Sequence, residues 1–125
     1  MKNKNIDIVT QYLSMCEKGD FEGLLNLFDP WMTLSDWNNK LIDTGQVAQV
    51  IYRERLRGDP FTIKVTNRYK QQIEEETVHF VDYQVLFENA KDVSSRIMEI
   101  IKVNSEGYIS SISSFAGYVG TEEES

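Results

Sequence analysis

The sequence predicts an α+β fold, with helices at the N-terminus packed on a curved, mainly antiparallel sheet. Two observations carry this. Residues 6–28 show helical apolar spacing, and residues from 61 onward show strand alternation broken by short polar turns. Helices first and strands after them let a long twisted sheet curl around a helix, leaving its concave face as the default ligand site.

Ile6, Val9, Leu13 and Cys16 recur on one helical face. Lys18-Gly19 ends that helix, with a cation in the last turn and a residue that tolerates a left-handed cap. Asp20 follows as the N-cap of a second helix, whose stripe is Phe21, Leu24, Leu25 and Phe28 and which Pro30 stops. Residues 31–36 read as a short strand. Asn38-Asn39 is a turn and residues 40–42 pair back. Residues 46–57 form a third helix, closed by Gly58-Asp59-Pro60.

In the β half, Phe61, Ile63, Val65, Asn67 and Tyr69 alternate with Thr62, Lys64, Thr66 and Arg68. Residues 73–76 are an acidic turn. Residues 77–88 and 94–103 are strands, Asn104-Ser105-Glu106-Gly107 is a hairpin turn, and residues 108–115 close the sheet. Residues 1–120 are expected to form one domain, with residues 121–125 as a disordered acidic tail.

The chain has 125 residues and a net charge of −7. Phosphate contacts need clustered Lys and Arg, so this acidic chain is not expected to bind nucleic acid or an anionic membrane surface. No secretory signal or membrane-length apolar run is read, and a cytoplasmic location is expected. Cys16 is the single cysteine, so an internal disulfide is excluded, and its place on the apolar face predicts a buried, inert thiol.

Site signatures are sparse. There is no glycine-rich phosphate loop. One histidine cannot anchor an ordinary zinc site, so neither metal nor cofactor is expected. His79 shares the strand parity of Val81, Tyr83 and Val85, which makes it a core histidine or a group on the concave face. Glu99 shares its face with Ile97, Ile101 and Val103. A carboxyl there must pair, hydrogen-bond or stay protonated. Tyr12 lies beside the apolar stripe of the first helix, as an amphipathic core residue or a donor into whatever the helix covers. Asp36 precedes Trp37 and reads as a turn cap or as a base with a raised pKa. Trp31, Trp37, His79, Tyr83 and Phe115 are the expected ligand-contacting residues.

A helix ending in Gly-Asp, a second ending in Leu-Phe, then a strand and a Gly-initiated helix resembles the NTF2-like superfamily and its SnoaL-like and ketosteroid-isomerase-like members. The resemblance spans residues 6–117 and implies the cone fold, with three N-terminal helices. In the isomerases it resembles, a tyrosine precedes the Gly-Asp break, an aspartate after the second helix shuttles the proton, and an acid on a late strand completes the oxyanion hole. Tyr12 falls on the tyrosine, Asp36 on the base and Glu99 on the second acid. Glu99 is one methylene longer than that acid, and Ser35 and Trp37 replace the flanking acid and proline.

The resemblance therefore implies a small apolar ligand, a carbonyl compound being one such class, and cofactor-independent acid–base isomerisation. Asp36 would be the base, with Tyr12 and protonated Glu99 as donors. The alternative is a non-catalytic ligand-binding or dimerisation module. An epoxide-hydrolase-like network of Asp-Arg-Asp is disfavoured because Arg68 and Arg96 have the wrong strand parity. A homodimer through the open sheet face is expected.

Overall fold

The computed structural model describes residues 7–35, 41–43, 60–88 and 94–120. Two helices lead, α1 (Ile8–Lys18) and α2 (Phe21–Leu27). Six strands follow: β1 (Phe28–Ser35), β2 (Leu41–Asp43), β3 (Phe61–Ile73), β4 (Glu76–Phe87), β5 (Ser94–Val103) and β6 (Ile109–Gly120). They form one sheet in the order β2-β1-β6-β5-β4-β3. Every neighbouring pair is antiparallel except β1 with β6. The third expected helix, over 46–57, lies outside the described residues, as does the 121–125 tail.

Local chemistry fixes the helix ends. Asp7 caps α1, its carboxylate accepting from the Thr10 amide at 2.8 Å. Gly19 has φ 70, the left-handed conformation that closes α1. The Asp20 amide bonds Met15 O at 2.9 Å and the Gly19 amide bonds Cys16 O at 3.2 Å, the paired bonds of a Schellman cap. Asp20 then caps α2 through the Gly23 amide at 3.0 Å. The second helix ends earlier than expected. Phe28 already has extended backbone and begins β1, two residues before Pro30.

The core lies between the helices and one face of the sheet. Val9, Tyr12, Leu13 and Leu24 meet Val81, Tyr83, Ile101 and Ile112 there. The outward face carries the Asp82–Arg96 ion pair at 2.7 Å and the exposed Met98.

Two irregularities change which side chains face the core. Between Val65 and Asn67 the β3–β4 register slips, leaving Thr66 unpaired. Asn67 and Tyr69, expected on the face of Ile63 and Val65, instead oppose Asp82 and Phe80. Arg68, expected to point away, opposes Val81 on the helix-facing side. A second slip between Lys102 and Val103 leaves Ser110 unpaired in β6. In both places the hydroxyl of the extra residue donates to a carbonyl of the facing strand: Thr66 to Asp82 O at 2.8 Å, and Ser110 to Lys102 O at 3.3 Å.

Candidate functional site

The site is built on Glu99, in the middle of β5. Alternation puts it on the core side, opposite Val81 on β4 and Ser114 on β6. Glu99 is 5% exposed, and no cation pairs with it among the described residues. Tyr12, 4% exposed, reaches it from α1: its hydroxyl donates to Glu99 Oε2 at 3.2 Å. The Ser114 hydroxyl donates to the same oxygen at 2.6 Å. The other oxygen, Oε1, is buried and has no hydrogen-bond partner among the described residues.

The position of Tyr12 follows from how α1 is tied to β3. At one end of the helix, Arg68 bonds Asp7 at 2.7 Å and the Thr10 hydroxyl at 3.2 Å. At the other, the Glu17 carboxylate accepts the Ile63 amide. These ties span the helix and hold its middle, with Tyr12, over β4 and β5. Arg68 takes this part only because of the Thr66 bulge, which corrects the expectation that its parity keeps it from the helix side. Arg96 does keep the expected outward parity.

Burial dominates the electrostatics. Desolvation raises the Glu99 pKa, against the Ser114 and Tyr12 hydroxyls bonded to Oε2 and the nearby Tyr83 phenol, which favour the anion. Burial and the neighbouring Glu99 charge push the Tyr12 and Tyr83 phenols well above their ordinary value, so both stay protonated donors. Cys16 lies within reach of the same charges. Burial first, then Glu99, raises its thiol out of the reactive range.

The remaining expected residues divide. Tyr83 shares the inward face two residues from Val81, and its hydroxyl interacts with Glu99. His79 is also inward and 5% exposed, opposite Ile101, with Nδ1 unpartnered among the described residues. Desolvation and the Arg68 charge lower its pKa. Trp31 is 87% exposed and is not brought to Glu99. Phe115 is 47% exposed and opposes Met98 on the outward face, because the residue after Ser114 must point away from it. Asp36 and Trp37 lie outside the described residues. Ser114 was missed. Its only signal is the β5–β6 register: a plain hairpin count that pairs Val103 with Tyr108 across the Asn104–Gly107 turn would set Ile112, two residues away, opposite Glu99.

Among the described residues, no group of His, Cys, Asp and Glu side chains is arranged to hold a metal ion, and no helix is long and apolar enough to cross a membrane. A separate groove of about 210 Å³ lies between α1 and β3, lined by Leu13, Glu17, Ile63, Val65 and Arg68 among others, and does not include Glu99.

No protein-family model and no curated protein matches the chain. Solved structures do. A protein of ketosteroid isomerase-like fold from Catenulispora acidiphila, in complex with trimethylamine, aligns at TM-score 0.65 and 14% identity, over 86% of this chain and 82% of that one. A SnoaL-like family protein from Agrobacterium tumefaciens, described as an isomerase candidate, aligns at TM-score 0.68 and 14% identity, over 88% and 94%. The orange carotenoid protein of Anabaena, binding canthaxanthin, aligns at TM-score 0.73 and 17% identity. That match covers 99% of this chain and 40% of the other. At these identities the likeness speaks for the fold, and it agrees with the helix-then-sheet order described above: the chain has the α+β fold of the NTF2-like superfamily, shared by its ketosteroid-isomerase-like and SnoaL-like members.

Proposed function

We propose that this protein binds a small, largely apolar molecule bearing a hydrogen-bond acceptor such as a carbonyl, with the neutral Glu99 carboxyl donating to it from Oε1. One observation carries the reading: Oε2 is occupied by the Tyr12 and Ser114 hydroxyls, while Oε1 is buried with no partner among the described residues. An unmade hydrogen bond from a buried polar group costs about 1–3 kcal/mol. A ligand acceptor would recover that cost. Tyr12 serves as a donor to Glu99, and the pair acts as one unit toward the ligand. Organic ligands in two structural neighbours, trimethylamine and canthaxanthin, are consistent with a fold that accommodates such molecules.

Catalysis extends this reading. A carboxylate that removes a proton from carbon and returns it at another carbon, next to an oxygen held by neutral donors, isomerises an unsaturated ketone. Asp36 would be that carboxylate. The outward sheet face supports a homodimer as the second part of the proposal, since Tyr69, Met98 and Phe115 are exposed there.

The test uses a solvatochromic naphthyl ketone, read by fluorescence and by the infrared carbonyl stretch. Saturable uptake is expected, with the stretch lowered on binding. Glu99→Leu is expected to remove that lowering and weaken affinity about tenfold. Unchanged binding by Glu99→Leu would refute the site. For catalysis, a panel of β,γ-unsaturated ketones should turn over with the wild type and not with Asp36→Asn. No turnover by the wild type would reduce the function to binding.

A further inference from the structure

We infer that Ser114 is a positioning residue which decides that Glu99 meets its ligand through Oε1. The inference rests on the reading of Glu99 as the ligand-facing acid and adds what sets its donor.

A carboxylic acid has two oxygens and one proton, and either oxygen can carry it. A donor is useful to a ligand only if the proton is held on the oxygen that faces it. The geometry supplies that bias. Ser114 stands directly across from Glu99 on the neighbouring strand, and its hydroxyl lies 2.6 Å from Oε2. That is at the short end for hydroxyl–oxygen bonds and shorter than the 3.2 Å contact from Tyr12. Oε2 accepts both hydroxyls, which uses its two lone-pair directions. A proton on Oε2 would compete with these donors, whereas a proton on Oε1 displaces nothing. The neutral acid therefore sits with Oε2 as acceptor and Oε1–H as the free donor. The two contacts also come from different elements, β6 and α1, so they hold the carboxyl plane as well as its proton.

Of the two, Ser114 is the stiffer support. Its hydroxyl oxygen is two bonds from the β6 Cα and set by a single side-chain torsion, and the ladder from Arg96↔Gly117 to Lys102↔Ser111 runs unbroken around it. Tyr12 acts through a long ring on a helix that rests on the sheet through side chains.

The experiment compares wild type, Ser114→Ala, Ser114→Thr and Glu99→Leu, each with the bound naphthyl ketone and its carbonyl stretch as readout. Ser114→Ala is expected to weaken ketone affinity about tenfold and to return the stretch part of the way to its value in an apolar solvent. Ser114→Thr keeps the hydroxyl and is expected to restore both. A general packing defect would lower the thermal midpoint without a hydroxyl-dependent change in the stretch. If Ser114→Ala matches the wild type while Glu99→Leu loses the stretch, the Ser114 assignment is overturned and the Glu99 site stands. If Glu99→Leu also matches the wild type, both fall.

Discussion

Asp82 and Glu99 are both carboxylates, on adjacent strands and one register step apart, yet they face opposite worlds. Asp82 opposes Met98 and points outward, where Arg96 binds it through two nitrogens at 3.1 and 2.7 Å. The Arg96 hydrogen bonds hold its pKa below the ordinary carboxylate value. Glu99 opposes Val81 and points inward, where the described residues give it hydroxyl donors and no cation, and burial raises its pKa. Strand parity decides which carboxyl is a solvated ion-pair partner and which is a buried group held by hydroxyls.

The comparison can be broken by removing the wall that makes the two faces differ. Ile101 is fully buried beside Glu99, and Ile101→Ala is expected to cost about 2–5 kcal/mol in urea denaturation. Met98→Ala, on the outward face, is expected to stay within about 0.5 kcal/mol. Equal losses would mean that the two faces are equally buried in solution, for instance by a tight dimer.

A smaller effect sharpens it through pH. The folded pKa of Glu99 is raised, so between the unfolded and folded values the native state binds more protons than the unfolded chain. Stability from this group is complete below the unfolded value and is lost as pH rises through the folded one. Glu99→Gln removes that loss. Its urea midpoint should therefore gain on the wild type as pH rises from about 4 to 8. A difference that stays constant with pH would show Glu99 to be ionised in the fold. His79 works in the other direction. Its lowered pKa gives stability that is present above the unfolded value and lost as pH falls through the folded one. Because both proteins contain His79, it cancels from the comparison.

The smallest effect is expected at the outward pair. Arg96→Ala should leave the denaturation midpoint nearly unchanged, and any difference should fade with added salt. A large, salt-insensitive loss would contradict the solvated character of that face.

Much of this was legible in the chain. The Gly19-Asp20 break is written in local chemistry, because a left-handed cap and an N-cap depend on the residues that form them. The facing of Glu99 was equally readable, since β5 keeps strict alternation with Ile97 and Ile101 on the same side. The Tyr12 contact came from the resemblance, which pairs a first-helix tyrosine with a late-strand acid.

What the sequence did not disclose is where alternation slips. An unpaired Thr66 or Ser110 looks like any other residue of a strand. Whether it is bulged depends on how two strands far apart in the chain are held in register. One such slip turns Arg68 to the helix side, where it ties α1 down. The other brings Ser114, rather than Ser113, opposite Glu99. The sequence by itself determined the order of helices and strands, the cap between the helices and the buried acid, because each depends on near neighbours or on a period of two. Only the tertiary structure decided which hydroxyls hold that acid and which of its oxygens is left open, because pairing between strands is set by the packing of the whole sheet.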